Sequence, residues 1–184
     1  MIMQYNDRRV SSRPSIRYQP ACIEIDGNTS VALMRDLTEN GAGFECDMDL
    51  MTGQPIRYRW GNKDFHYGRV VWVENGRFGV ENRSDIPKPT HDDCYRYRSV
   101  RVPTAIGGVA YVDGKRKDCE VLNIAQRGVC ISISGIVERG SLATIKIGKH
   151  CLEAATAKWV EGERLGFALS RPLRLGEISA MLAA

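Results

Sequence analysis

Apolar and polar residues alternate one by one in short segments along the chain. Between Ile56 and Trp60, the apolar side chains of Ile56, Tyr58 and Trp60 alternate with Arg57 and Arg59. A period of two residues places the apolar set on one face of a strand and the polar set on the other. The segment is therefore predicted to be a half-buried strand with its arginines facing outward.

Similar patterns predict strands throughout both halves of the chain. Turn-forming pairs such as Asn75-Gly76 and Asp113-Gly114 separate them. About six short strands in each half favour closure into a barrel, because closure removes exposed edges. The further predicted strands are Ala21–Ile25, Val31–Thr38, Gly41–Cys46, Phe65–Val73, Arg77–Asn82, Gly107–Val112, Asp118–Ile124, Gly128–Ile133, Ala143–Ile147, His150–Val160 and Arg164–Ser170.

The two halves of the chain carry the same landmarks in the same order. Trp72 is matched by Trp159, an offset of 159 − 72 = 87 residues, and Asp36 falls on Asn123 at the same offset. Such self-similarity indicates a tandem duplication. The glycines that keep this offset are Gly41 with Gly128, Gly53 with Gly140, Gly61 with Gly148, and Gly79 with Gly166.

The predicted fold is all-β, with two tandem six-stranded barrels and a short C-terminal helix. The segment Ser84–Asp93, with prolines at 87 and 89, is a poor strand or helix and is predicted to divide domains 1–86 and 94–184. Near the C-terminus, Leu175, Ile178, Met181 and Leu182 fall on one helical face. This helix is expected to pack over one end of the second barrel.

Composition is that of a globular protein, with 43% hydrophobic and 26% charged residues. No run of 18 apolar residues is present, and the polar start lacks the apolar stretch of a secretory signal, so a cytoplasmic protein without membrane insertion is expected. The net charge of +4 is not gathered into a long basic stripe, which argues against nucleic-acid binding.

Metal and catalytic chemistry have no support in the sequence. No two of the six cysteines have a CxxC spacing, and the three histidines are scattered, so no metal or cofactor is predicted. No Ser-His-Asp set, Cys-His set or Walker loop occurs at a suggestive spacing. The chain is therefore expected to be a binding protein rather than an enzyme.

Two motifs carry the candidate chemistry. The N-terminal segment contains two arginines four residues apart, Arg9 and Arg13, and Asp36-Leu-Thr38-Glu-Asn-Gly41 follows on a predicted strand and turn. The order RxxxR and then [D/N]x[S/T]xxG, followed by the hairpin GRVVW…GRFGVE, resembles the PilZ domain family. The resemblance extends over essentially the whole chain, once in each copy.

This resemblance implies a receptor for cyclic di-GMP, a bacterial second messenger. Arginine forks match phosphate oxygens and the O6/N7 edge of guanine, and a carboxylate accepts from the N1 and N2 hydrogens of guanine. The arginine segment is expected to form an arm that becomes ordered on binding. Thr38 occupies a position where serine is commoner in the family, and this replacement keeps the hydroxyl group. The expected ligand-binding residues are Arg8, Arg9, Arg13, Asp36, Thr38 and Gly41.

The second copy departs from the motif. Its turn carries Asn123 and Gly128, but Ala125 replaces the hydroxyl residue, and Tyr97 stands where the first arginine of the arm is expected when Arg101 is aligned with the second. The second domain is therefore predicted to be a degenerate copy. Trp72 and Trp159, which both copies keep, are predicted to anchor the two cores.

The leading hypothesis is a cyclic di-GMP receptor or adaptor that signals through an unknown partner protein. The alternative is a PilZ-like protein-interaction module that binds no nucleotide, as expected of copies that lack the arginines. The presence of Arg9, Arg13 and Asp36 favours the receptor.

Overall fold

The computed structural model describes residues 18–83 and 99–184. The predicted domain boundary, with its two prolines, lies outside the described residues. The strands of the first part are β1 Gln19–Ile25, β2 Asn28–Leu37, β3 Gly41–Glu45, β4 Pro55–Trp60, β5 His66–Glu74 and β6 Arg77–Asn82. Those of the second part are β7 Val102–Val112, β8 Lys115–Ala125, β9 Gly128–Ser132, β10 Leu142–Ile147, β11 His150–Glu161 and β12 Arg164–Ala168, and helix α1 spans Leu175–Leu182.

Each part is a closed antiparallel barrel of six strands. The first has the order β1-β2-β3-β6-β5-β4, and the second has the corresponding order β7-β8-β9-β12-β11-β10. Closure pairs every strand on both sides, which leaves no open edge. The predicted fold class is confirmed: two tandem six-stranded barrels with one short C-terminal helix.

The turns of the two barrels repeat each other in backbone conformation. Gly53 and Gly140 have φ values of 90° and 97°, and Gly61 and Gly148 have values of 55° and 54°. These left-handed conformations favour glycine, which has no Cβ to clash. The glycines that reveal the repeat in the sequence therefore lie at equivalent turns.

The core of the first barrel is built around three aromatic rings. Phe44 stacks on Phe78 with ring centroids 5.1 Å apart and meets Tyr58 edge-on at 5.0 Å. All three are buried, as are Ile56 and Trp60, which confirms the predicted phase of β4. Burial raises the pKa of Tyr58, so its hydroxyl stays a neutral donor.

Each barrel contains β-bulges at equivalent places. On β2 the pairing with β3 shifts between Met34 and Asp36, and on β5 the pairing with β6 shifts between Val70 and Trp72. A bulge inserts one extra residue into one strand, so two consecutive side chains face outward. Met34 and Leu37 are consequently both buried in the core although they are three residues apart.

Helix α1 belongs to a hydrophobic cluster that joins the two barrels. Ile178 and Met181 are buried in a cluster that includes most of the second core and also Cys22 and Val31 of the first barrel. The helix lies against β2. The expectation that it packs over one end of the second barrel did not include this contact with the first barrel, where Val31 on β2 is buried in the same cluster.

Polar contacts also connect the barrels. The Thr29 hydroxyl donates to the Pro103 carbonyl at 2.6 Å, and the Arg59 guanidinium donates to the Arg101 carbonyl at 2.7 Å. Both acceptors lie at the start of the second barrel. Among the described residues, no helix is long and apolar enough to cross a membrane.

Loss of the Ile178 side chain tests the role of the shared cluster. Ile178→Ala removes a fully buried side chain and is expected to lower the free energy of unfolding by about 2–5 kcal/mol. Ile136→Ala makes the same chemical change at a residue that is 93% exposed, and is expected to change it by no more than about 0.5 kcal/mol. Urea unfolding of both variants measures the difference, and equal losses would contradict the packing described.

Candidate functional site

The turn between β2 and β3 carries two residues of the predicted motif. The Thr38 hydroxyl accepts a hydrogen bond from the Gly41 amide at 3.0 Å, and the Thr38 amide donates to the Gly41 carbonyl at 2.8 Å. The hydroxyl is thus already used to close the turn. The need for serine or threonine at this position follows from the backbone as well as from any ligand contact.

Gly41 is required because of a close approach between strands. A Cβ at this position would collide with the carbonyl of Val80 on β6. Its φ is not positive, so the close approach and not a left-handed backbone is the reason for glycine here.

The turn is also held from beneath by Asn82, the last residue of β6. Its amide group donates to the Glu39 carbonyl at 3.0 Å, and its backbone amide donates to the Asn40 carbonyl at 2.8 Å. The buried Tyr58 hydroxyl in turn donates to Asn82 Oδ1 at 2.7 Å. This chain of hydrogen bonds anchors the motif to the core, and no sequence motif marked Asn82.

Asp36 lies on the outer face of the barrel because of the bulge on β2. Its register partner on β3 is Gly43, whose own partner on β6 is Gly79, and Gly79 pairs with Trp72 on β5. Asp36, Gly43, Gly79 and Trp72 therefore form one row across four strands, which we call the first row.

The two glycines of the first row are covered by its two end residues. A Cβ on Gly43 would lie 2.7 Å from Asp36 Oδ2, so the carboxylate stands directly over that glycine. A Cβ on Gly79 would collide with the indole of Trp72. Any larger side chain would have to displace these groups.

Trp72 and Trp159 are not core residues, contrary to the prediction from their repetition. Their exposures are 45% and 37%, because the bulges on β5 and β11 turn both side chains outward over Gly79 and Gly166. Phe44, Phe78 and Phe167, by contrast, are buried. In both copies the tryptophan and the glycine are separated by the same number of residues. This constant spacing reflects the contact of each indole with its glycine on the barrel surface.

Charged and aromatic residues flank the first row. Arg35, the neighbour of Asp36, donates to Glu45 at 2.6 Å, and its guanidinium lies 4.7 Å from the centre of the Tyr18 ring. Arg77 also approaches Glu45, at 3.5 Å. Tyr18 directly precedes β1, so the chain enters the barrel beside Arg35, the neighbour of Asp36.

Across the sheet, the first row presents a hydrogen-bond acceptor at Asp36, then the backbone of the two glycines, and then the aromatic face of Trp72. A carboxylate can accept from paired N–H groups, while a half-exposed indole can stack on a planar ring. This arrangement can recognise the edge of a purine. Among the described residues, no group of three or more His, Cys, Asp or Glu side chains is placed to hold a metal ion.

The second barrel contains a corresponding row. Asn123 pairs with Cys130, Cys130 with Gly166, and Gly166 with Trp159. The second row therefore keeps the tryptophan and its glycine, but replaces the carboxylate with an amide and Gly43 with a cysteine. Ala125 lies buried at the turn and offers no hydroxyl to it.

The structure thus brings Asp36, Thr38 and Gly41 together on one side of the first barrel. The remaining predicted site residues, Arg8, Arg9 and Arg13, lie outside the described residues, as does Tyr97 of the second copy. Sequence reasoning missed Gly43, whose role depends on the pairing of β2 with β3.

Comparison with solved structures returns proteins of low sequence identity. PlzA of Borreliella burgdorferi, in complex with cyclic di-GMP, has 9% identity and a TM-score of 0.38, with 91% of this chain and 87% of that chain covered. The Bacillus subtilis inhibitor of motility MotI/DgrA has 11% identity and a TM-score of 0.38, covering 92% and 96%. Escherichia coli YcgR in complex with cyclic di-GMP has 9% identity and a TM-score of 0.34, covering 90% and 83%.

Sequence comparison identifies the family. No curated protein matches the chain. Residues 7–97 match the PilZ domain, and the matched range holds the whole first barrel together with the segment that carries Arg8, Arg9 and Arg13. The second barrel lies beyond the match, although its strand order is the same. Through its first half, the chain belongs to the PilZ domain family.

Proposed function

We propose that the first barrel binds cyclic di-GMP and that the chain acts as a receptor or adaptor on a partner protein. The observation that carries this proposal is the position of Asp36. Its carboxylate stands over Gly43 on the outer face, beside the point where the N-terminal segment enters the barrel. The arginines of the same PilZ motif come shortly before this point in the sequence.

Chain length supports the participation of the arginines. Arg13 precedes Tyr18 by five residues in the sequence, and Tyr18 stacks on Arg35 next to Asp36. Five residues extend by at most about 18 Å. The arm is therefore within reach of a ligand on the first row. Arg8, Arg9 and Arg13 supply guanidinium forks for its phosphates and guanine edges.

Guanine recognition follows from the charge of Asp36. The carboxylate offers only acceptors, which match the N1 and N2 hydrogens on one edge of guanine. Trp72 supplies an apolar face at the other end of the row. Thr38 and Gly41 hold the turn in the shape that presents Asp36, and Thr38 can add a contact through its hydroxyl.

We propose that the second barrel binds the partner protein rather than cyclic di-GMP. Its turn has Ala125 in place of Thr38, and its row has Asn123 in place of Asp36. It also exposes large apolar side chains, Ile136 at 93% and Leu142 at 60%. These side chains are available for contact with a partner protein.

The arginine arm is tested by substitution. Arg13→Ala removes one bidentate charge-assisted contact worth about 2–3 kcal/mol, so we expect the affinity for cyclic di-GMP to fall roughly thirty- to hundredfold. Arg9→Ala is expected to act in the same direction. Isothermal titration measures both, with Arg139→Ala as a control in an exposed loop of the second barrel. If neither arm substitution changes the affinity, the arginine arm does not hold the ligand. If the wild-type chain binds no cyclic di-GMP, the chain is instead an interaction module without a nucleotide.

Specificity for guanine tests Asp36. Adenine lacks the N1 and N2 hydrogens, so the carboxylate is left without donors, and sites built on such hydrogen bonds reject analogues strongly. We expect cyclic di-AMP to bind at least about a hundredfold more weakly than cyclic di-GMP. Competition titration measures the ratio, and comparable affinities would refute this role for Asp36.

The place of the carboxylate over Gly43 is tested by adding a methyl group there. In Gly43→Ala the new Cβ lies 2.7 Å from Asp36 Oδ2, so the carboxylate must move. We expect a loss of about ten- to hundredfold in affinity for cyclic di-GMP, the value of a hydrogen bond to a charged group. Gly107→Ala, where nothing lies within 4 Å of the added atom, is the matched control. Equal affinities in the two variants would argue against a ligand on the first row.

A further inference from the structure

The second barrel contains a cleft on the face that carries the second row. Its volume is about 600 Å³, within the range typical of small-molecule sites. Asn123, Cys130, Gly166 and Trp159 all contribute to its walls, so the whole second row is inside it. The cleft extends to Asn62 on the turn after β4 of the first barrel.

Four cations line this cleft: Arg101, Arg127, Lys158 and Arg164. None of them forms an ion pair with a carboxylate among residues 18–83 and 99–184. Like charges gathered in one concave site repel each other unless an anion binds between them. The lining therefore favours an anionic ligand of high charge.

The excess charge arises from specific changes between the two barrels. In the first barrel, Arg77 is opposite Glu45 on β3 and approaches its carboxylate at 3.5 Å. The corresponding pair in the second barrel is Arg164 opposite Ser132, so the carboxylate is lost and the guanidinium is kept. Lys158 likewise takes the place of Val71 in the bulge beside the tryptophan.

The cleft also contains uncharged groups suited to a planar ring. The indole of Trp159 is 37% exposed and lies over Gly166, and the amide of Asn123 carries both donor and acceptor atoms. The buried hydroxyl oxygen of Ser99 has no hydrogen-bond partner among the described residues. Such an orphaned polar atom in a cleft wall is available to a ligand.

The groups around Cys130 converge on one place. Burial raises the pKa of this thiol, while the guanidinium groups of Arg164 and Arg101 and the amide of Asn123 act to lower it. Residues from three strands and from the segment before β7 therefore face the same point. The position of Arg101 is held by the hydrogen bond from Arg59 to its carbonyl.

We propose that this cleft binds a nucleoside polyphosphate, with its phosphates among Arg101, Arg127, Lys158 and Arg164 and its base against Trp159 and Asn123. The phosphates match the positive charge of these four side chains. The half-exposed indole provides the stacking face. The amide of Asn123 can pair with adenine or with guanine edges, so the site does not require guanine as Asp36 does.

Titration of the full chain with ATP, GTP, inorganic tripolyphosphate and adenosine tests this proposal. We expect ATP and GTP to bind with affinities within about tenfold of each other, and adenosine to bind far more weakly. Arg164→Gln is expected to weaken both ATP and tripolyphosphate by about tenfold or more, the loss of one charge-assisted contact. Arg139→Gln, the same change outside the cleft, leaves both unchanged.

The aromatic contact is tested separately. Trp159→Ala is expected to weaken ATP by about tenfold, the value of one stacked base, while tripolyphosphate affinity stays the same. Trp72→Ala makes the equivalent change in the first barrel, where it uncovers Gly79 as Trp159→Ala uncovers Gly166. This control variant is expected to bind ATP as the wild type does. Circular dichroism verifies that each variant is folded.

Three outcomes would overturn the proposal. One is that neither ATP nor GTP binds at millimolar concentration. Another is that Arg164→Gln has no greater effect than Arg139→Gln. The third is that cyclic di-GMP displaces ATP from an Asp36→Ala variant, which would make the cleft a second cyclic dinucleotide site. Failure of the wild-type chain to bind cyclic di-GMP would leave this proposal standing, because different probes and residues are involved.

Discussion

The bulge on β2 determines what the first barrel presents to its surroundings. Without the extra residue, strict alternation would turn either Met34 or Leu37 out of the core, since they are three positions apart. The bulge keeps both inside and turns Arg35 and Asp36 outward together. The corresponding bulge on β5 does the same for Val71 and Trp72. Core packing and the outer row are thus two consequences of one backbone irregularity.

The two barrels show how one scaffold supports different surface chemistry. Both keep the bulges, the strand order and the tryptophan over its glycine. They differ at outward-facing positions such as Asp36 and Glu45, which are only partly buried. Replacement of Glu45 by Ser132 removes a carboxylate partner from Arg164, and replacement of Asp36 by Asn123 removes a negative charge. The second row therefore lies in a more positive environment than the first.

The two barrels share an apolar cluster and a hydrogen bond. Cys22 and Val31 contribute to the cluster that contains helix α1 and the second core. The hydrogen bond from Arg59 to the Arg101 carbonyl links β4 directly to the wall of the cleft. A ligand held by the Arg101 side chain would therefore contact a residue that is itself hydrogen-bonded to β4 of the first barrel. Burial of apolar surface between the barrels therefore stabilises their contact.

Local patterns in the sequence were enough to predict the strands, the two barrels and the motif that contains Asp36, because alternation and turn glycines report on backbone geometry within a few residues. The bounds of β7 were missed, since Val102–Ile106 does not alternate cleanly. Only the tertiary structure placed Gly43 beneath Asp36 and moved both tryptophans from the core to the surface, because bulges invert alternation without a local signal. The covering of β2 by helix α1 was likewise decided only in three dimensions. It depends on apolar residues that are far apart in the chain and meet only after both barrels have closed.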